Sequence, residues 1–307
     1  MAPTLVHGAE MVKANIFPGA QSLPLAVASE KGIFERYNIK LDLSFTRSSQ
    51  EQMTGVRDGK WDVGSTGIDN VIAYNSNEGA DFFLFMGVGG TTIHFFVDPG
   101  ITSFNDLRGK PLGVDALTAG YAFVLQKILH ENGLKPGEYR LVPLGETGTR
   151  FEAMRKKEIV GALMTPPYIA QASNAGFRDM GGVTKYIPKY AASAAFTTRR
   201  WAAAHGDTLV RYIKANIEAA DWIYDPKNRG EAVSIWAKTL KVPLEVATRS
   251  FTDDIMHPQM GLVRKAVLPA EGIKTVIALR AEMGHLKPPL PDPAKFYDLS
   301  YYEKATR

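Results

Sequence analysis

The chain has 307 residues, a formal net charge of +4 and no cysteine. That length exceeds the usual single core, so two lobes are expected, and the lack of cysteine excludes disulfides, thiolate nucleophiles and Cys-ligated metals. Lys and Arg are scattered, with only short runs such as Arg155-Lys156-Lys157, which speaks against nucleic-acid binding and leaves solubility, or mild steering of an anionic ligand, as readings of the charge.

The opening Met1–His7 has no charged segment followed by an apolar one, so the chain is either cytosolic or lacks a leader, and no later apolar run is long enough to cross a bilayer. Met11–Phe17 reads as a first strand, broken by Pro18-Gly19, and Leu23–Tyr37 as a helix burying Leu23, Val27 and Phe34. Ile39–Phe45 alternates apolar and polar residues, and Ser48-Ser-Gln-Glu51 is a capping box opening a helix to about Asp58. Trp61–Ser65 is a short strand, Asp69–Asn77 a helix, and Asp81–Val88 a continuous apolar run, as in a strand buried on both faces. Ile93–Val97 is a further strand, and Asp98-Pro99-Gly100 marks the first crossing between lobes.

Leu112–Val114, Arg140–Leu144 and Ala162–Thr165 read as strands. Tyr121, Val124, Leu125, Ile128 and Leu129 follow the helical period up to Asn132-Gly133, with Thr118 as an N-cap candidate. Tyr190–Thr198 is an extended return, after which helices are expected at about 199–224, 228–240, 243–253 and 270–283. The tail through Tyr301-Tyr302 is read as a strap across the surface. Strands alternating with helices imply parallel sheets and an α/β fold of two lobes joined by a two-segment hinge. Lobe 1 is expected from residues 1–97 and 193–307, and lobe 2 from 98–192.

Enzyme signatures are missing from the sequence. No pair among His7, His94, His130, His205, His257 and His285 has metalloprotease spacing, and there is no G-x-S-x-G elbow. Gly87-Val-Gly89-Gly90 resembles a dinucleotide fingerprint but has Thr92 in place of the last glycine and leads into a strand. The positive signal is a set of strand-to-helix turns rich in small and hydroxyl residues: Thr46–Ser49, Ser65–Gly67, Asp115–Gly120, Gly145–Thr149 and Thr165-Pro166. Each either caps its own helix or offers backbone N–H groups and a hydroxyl to a shared anionic ligand. Arg47 is a bidentate carboxylate partner or a solvated surface arginine. Asp69 receives a ligand amine or hydroxyl, or favours its helix N-terminus. His94 is a structural histidine or a cleft contact. Phe17, Tyr121 and Tyr168 stack on a flat ligand or pack in the core, and Trp61 and Trp222 are assigned to the core.

The chain resembles the periplasmic solute-binding proteins of ABC importers for sulfonates, taurine, nitrate and thiamine-precursor pyrimidines, from about Lys13 to Met283. The markers are Leu25-Ala-Val-Ala with Lys31-Gly32-Ile33-Phe34, Gly59-Lys-Trp-Asp62, Ile101–Lys110 followed by Leu112-Gly-Val, Leu129 with Asn132-Gly133-Leu134, and Ala219-Ala-Asp-Trp222-Ile223. The resemblance implies a periplasmic-binding-protein-like (type II) fold closing over a small molecule and presenting it to an ABC permease. It places cleft contacts at Thr66, Thr118, Ala119, Gly120 and Thr165, with Arg47, Thr91, His94 and Glu146 less directly indicated. With the turn residues, the candidate ligand-binding set is Phe17, Arg47, Thr66, Asp69, Thr91, His94, Asp115, Thr118, Ala119, Gly120, Tyr121, Glu146 and Thr165. Fungal thiamine-pyrimidine synthases share the fold but use a cysteine-rich motif, which this chain lacks. The expectation is a monomeric, extracytoplasmic, non-enzymatic receptor without a cofactor for a small organic anion, aromatic or aliphatic. The alternatives are a cytosolic heterocycle-processing enzyme and a receptor's sensing subunit.

Overall fold

The computed structural model describes residues 8–307, so the Met1–His7 reading lies outside the described residues. Ten strands are present: β1 (Glu10–Ile16), β2 (Ile39–Phe45), β3 (Val63–Gly67), β4 (Phe82–Gly89), β5 (His94–Val97), β6 (Pro111–Val114), β7 (Arg140–Pro143), β8 (Gly161–Met164), β9 (Arg178–Gly182) and β10 (Ser193–Thr198). They form two five-stranded sheets, ordered β2-β1-β3-β10-β4 and β7-β6-β8-β5-β9. The helices before the return strand are α1 (Ser22–Glu30), α2 (Ile33–Arg36), α3 (Ser49–Arg57), α4 (Ile68–Asn77), α5 (Gly120–Glu131), α6 (Thr147–Arg155) and α7 (Tyr168–Asn174). After it come α8 (Arg199–Ala204), α9 (Gly206–Tyr224), α10 (Arg229–Leu240), α11 (Leu244–Ser250), α12 (Ala270–Glu282) and α13 (Ser300–Thr306).

Local chemistry explains most of these boundaries. Every residue of β4 is buried, because its uninterrupted apolar run needs cover on both faces. The single helix expected over 23–37 is split into α1 and α2 by Gly32, which takes a left-handed φ of 63°. Ser48 caps α3 by accepting from the Glu51 N–H at 3.2 Å. The Glu51 carboxylate reaches the Arg47 N–H at 3.1 Å instead of returning to Ser48, so only half of the expected capping box forms.

The sheets are mixed where parallel ones were expected. β1 runs parallel to β2 and β3, and β6 parallel to β7 and β8. The returning β10 is antiparallel to β3 and β4, and β5 is antiparallel to β8 and β9. That pairing moves the first crossing: β5 belongs to the second sheet, so the chain changes sheets between Gly89 and His94, before the Asp98-Pro99-Gly100 break. Strand β9 has no counterpart in the sequence reading, because Arg178–Gly182 has neither an apolar run nor a clear alternation. The C-terminal tail ends in a helix, α13, and Tyr301 packs beside Phe83 with tilted rings and centroids 5.9 Å apart.

Apolar packing covers both faces of each sheet. One cluster joins β1, α1, α9 and α10 around Phe34, Tyr212 and Trp236. A second lies under α6 and α7 around Phe151 and Met154. The largest contains Phe82 and Phe196 from the first sheet, Phe95 and Leu112 from the second, and Ile273, Val276 and Ile277 of α12, so the apolar core is continuous between the lobes.

Candidate functional site

Parallel register gathers strand ends, and strand ends gather the site. In the first sheet Ile16 lies beside Phe45 and Ser65, so the turns after β1, β2 and β3 leave along one edge. In the second, Val114 lies beside Pro143, and Gly113 beside Ala162, which aligns the turns after β6, β7 and β8. These edges face each other across a cleft of about 990 Å3 that includes space open to solvent. This is where ligands bind in open α/β sheets. The first lobe contributes Phe17–Gln21, Gly67, Asp69 and Asn70, with Asp254, Ile255 and Met260–Leu262 from the C-terminal part of the chain. The second contributes Asp115, Ala119–Tyr121, Glu146, Thr147, Arg150, Thr165 and Pro166. Gly89, Gly90, Tyr190 and Ser193 line the cleft from the connecting segments.

The lobes touch at the rim. The Glu146 N–H donates to the Arg47 carbonyl at 3.0 Å, and Arg249 Nη1 on α11 donates to Asn174 Oδ1 on α7 at 2.6 Å. A Cβ on Gly120 would lie 2.5 Å from the Asp69 Cβ, so this approach of α5 to α4 requires glycine.

Arg150 is the unusual residue of the second lobe. It is only 2% exposed, and its bonds go to uncharged oxygens: Gly145 O (2.9 Å), Thr147 Oγ1 (3.0 Å) and Leu163 O (3.2 Å). Its Nε is buried without a partner. Burial pushes the guanidinium's pKa down, while the carboxylates of Asp115 and Glu146 push it partly back. Thr147 and Thr165 sit beside it with hydroxyls 3.2 Å apart. Glu146 is committed to the N-terminus of α6, accepting from Gly148 N at 2.5 Å and Thr149 N at 2.7 Å. Asp115 Oδ1 is buried without a partner. Burial pushes the Tyr121 hydroxyl up to about 12.

Asp69 is neutralised within the protein. Its carboxylate accepts from Arg280 Nη1 of α12 at 2.7 Å, with both side chains almost fully buried. Burial outweighs the attraction of Arg280 and raises the Asp69 pKa to about 6. Arg280 also reaches the Thr118 carbonyl at 3.4 Å and lies 5.3 Å from the Phe123 ring centroid, so one guanidinium ties α4 to α5. Asp254 lies in a π-helical turn, Phe251–Ile255, following α11, and burial raises its pKa to about 6.

Of the residues singled out in the sequence, Phe17, Asp69, Asp115, Ala119, Gly120, Tyr121, Glu146 and Thr165 line this cleft. The others do not. The Arg47 side chain is exposed and only its backbone takes part in the lobe seam. Thr66 is buried and accepts from Asn70 Nδ2 at 2.8 Å, so Thr66 and Gly120 do not share the cleft. Thr118 is exposed, and the N-cap of α5 is Ala119. Thr91 gives way to Thr92, whose hydroxyl donates to the Met260 carbonyl at 2.8 Å. His94 is held by Asp179, with Nδ1 2.7 Å from Oδ2, which raises its pKa. Tyr168 packs against Phe151, Trp61 is buried, and Trp222 is half-buried under the Lys31 ammonium.

Sequence reasoning missed Arg150, Asp254, Tyr190 and the Met260–Leu262 segment. A readable signal existed for Arg150: a cation in the first turn of α6 opposes the helix dipole. Asp254 had none, because its turn reaches the cleft only through tertiary packing.

The NMT1-like family model matches residues 9–237. The chain belongs to the NMT1-like family. A protein of Brachyspira hyodysenteriae, named as an ABC transporter periplasmic binding protein, is 25% identical over 287 residues, covering 82% of this chain and 80% of its own length. The periplasmic nitrate-binding protein NrtA from Synechocystis PCC 6803 shares the fold with a TM-score of 0.82 at 12% identity, covering 97% of this chain and 88% of its own. The alkanesulfonate-binding protein SsuA from Xanthomonas axonopodis pv. citri, bound to MOPS, gives 0.75 at 16% identity, covering 94% and 96%. The desulfurization enzyme DSZB also shares the fold, with a TM-score of 0.67 at 15% identity and coverage of 97% and 99%.

Proposed function

We propose that this chain is a non-enzymatic, extracytoplasmic solute-binding protein that closes its two lobes over a small organic ligand carrying a sulfonate or carboxylate, and presents it to an ABC permease. The observation that carries the reading is Arg150: a buried guanidinium at the cleft whose hydrogen bonds all go to uncharged oxygens and whose Nε is unpartnered. A buried charge is costly without a counter-ion, and a ligand anion supplies one. Thr147, Thr165 and the apolar surfaces of Phe17, Ile93 and Leu262 complete a polar anchor within an otherwise apolar cleft, the usual composition of a small-molecule site. Cleft contacts are assigned to the lining residues, and the chain acts as a monomer.

The test is a thermal-shift and calorimetry screen across sulfonates, aliphatic and aromatic carboxylates, nitrate and pyrimidines. Saturation at about 100 times Kd stabilises the folded state by roughly 2.7 kcal/mol. Arg150→Met should lower affinity for an anionic hit by about 10- to 100-fold, the loss of one charge-assisted hydrogen bond or slightly more. Binding without turnover supports a receptor; chemical conversion of a bound compound would overturn it.

A further inference from the structure

The charged residues lining the cleft are unevenly matched. Arg150 lines it together with Asp69, Asp115, Glu146 and Asp254. Asp69 is paired with Arg280, and Glu146 is occupied by the N-terminus of α6. Two carboxylates have no ion pair. Asp115 carries a buried oxygen without a partner. Asp254 is only 6% exposed; the Ser250 side chain lies beside it, and the nearby cations are engaged elsewhere. Arg249 pairs with Asp253 at 3.6 Å and with Asn174 at 2.6 Å, and His94 is bound to Asp179 at 2.7 Å. A simple anion would satisfy Arg150 and leave these carboxylates without a cation, adding repulsion to their desolvation cost.

We infer that the ligand is amphoteric, with its anionic group on Arg150 and an ammonium or N–H donor on Asp254, so that it bridges the two lobes. Asp254 and Arg150 stand on opposite lobes of one cleft, so a molecule touching both is held only when the lobes are together. Asp115 offers a further acceptor on the Arg150 side. The inference rests on the anion-binding reading of Arg150 and adds the second pole and the residue that recognises it. The π-helical turn that presents Asp254 is a rare backbone form found often at functional sites.

The experiment uses the full chain and matched pairs: ω-amino carboxylates and ω-amino sulfonates of increasing length, and aminobenzoates, each against its des-amino counterpart. Thermal shift ranks the pairs and calorimetry measures the best one. The expected result is tighter binding of an amino member than of its partner by at least 10-fold. That preference should be lost in Asp254→Asn, and binding of both members should weaken in Arg150→Met. Far-ultraviolet circular dichroism and a single cooperative melting transition establish that each variant is folded. If des-amino anions bind wild type as tightly as their amino partners, the amphoteric assignment is overturned while the anion-binding reading stands. If the amino preference survives Asp254→Asn, the assignment of Asp254 is overturned. If neither member of any pair binds, both readings fall.

Discussion

Arg280→Met tests the buried pair that ties the first lobe to the second, and needs no ligand. The substitution keeps an apolar stem but removes the bond to Asp69 at 2.7 Å, the contact with the Thr118 carbonyl and the charge over Phe123. Removing one partner of a buried pair costs roughly 3–5 kcal/mol, because the other charge is left in the interior. The pH dependence identifies the mechanism. Burial raises the Asp69 pKa from 3.8 to about 6 in the folded protein. A carboxyl with a raised folded pKa contributes stability that is fully present below its unfolded pKa and is lost as pH rises towards the folded one, at about 1.4 kcal/mol per pH unit. In wild type that loss ends near pH 6. Without Arg280 the carboxyl titrates higher, so the variant continues to lose stability up to neutral pH. The cost of Arg280→Met should therefore grow by roughly 1 kcal/mol between about pH 6 and 7, and level off below about pH 5, where Asp69 is protonated in both proteins. Urea unfolding followed by tryptophan fluorescence at three pH values reads this directly. Adding Asp69→Asn to the variant should remove the extra slope. A cost below about 1 kcal/mol at neutral pH, or one identical at pH 5 and 7, would refute the argument.

The same unfolding assay reaches the rest of the cleft. Gly120→Ala places a Cβ 2.5 Å from the Asp69 Cβ, an overpacking expected to cost about 1–3 kcal/mol or to part the lobes, which small-angle scattering would detect as a larger radius of gyration. Glu146→Ala removes the cap of α6 and should cost about 1 kcal/mol. Trp236→Phe removes the indole N–H that donates to the Gly19 carbonyl at 3.2 Å; that carbonyl keeps the bonds from the Ser22 N–H at 3.0 Å and the Ser22 hydroxyl at 2.7 Å, so the cost should be only about 1 kcal/mol. Asp254→Asn should raise stability by roughly 1–2 kcal/mol at neutral pH and by less near pH 5, since burial holds this carboxyl's pKa near 6 and penalises its ionised form; equal effects at both pH values would refute that assignment of charge.

The fold was legible wherever periodicity and turn chemistry agreed. Alternation placed β2 over Ile39–Phe45, and the apolar run read over Asp81–Val88 marked the strand covered on both faces that spans Phe82–Gly89. Local signals did not reveal which sheet a strand joins: His94–Val97 reads as a strand in either lobe, and only its pairing with β8 and β9 assigns it to the second. The cleft was legible where it is built from strand-end turns, as with Asp115, Ala119, Gly120 and Thr165. Choosing one hydroxyl within a turn was beyond the pattern, because a one-residue difference reverses direction: Thr66 turns inward to Asn70 while Gly67 faces the cleft, and Thr92 lines the cleft where Thr91 does not. The contribution of the π-helical turn was invisible, because Asp254 is separated from β3 and β8 by most of a lobe's sequence and meets the cleft only after α9, α10 and α11 have packed.

The seam between the lobes explains how recognition can control shape. Its rim polar contacts include one backbone bond, from Glu146 to Arg47, and one side-chain bond, from Arg249 to Asn174. Such bonds contribute about 1 kcal/mol each, and the glycine at position 120 adds close approach with no side chain of its own to bury. Driving a two-state equilibrium from mostly open to mostly closed takes about 5.5 kcal/mol of differential binding, more than these rim bonds supply. A ligand shifts that equilibrium only by touching residues of both lobes at once, because contacts confined to one lobe are equally good in either state and shift nothing. Arg150 on the second lobe and Asp254 on the first are the charged groups placed for that purpose, so recognition and closure become one event in this cleft.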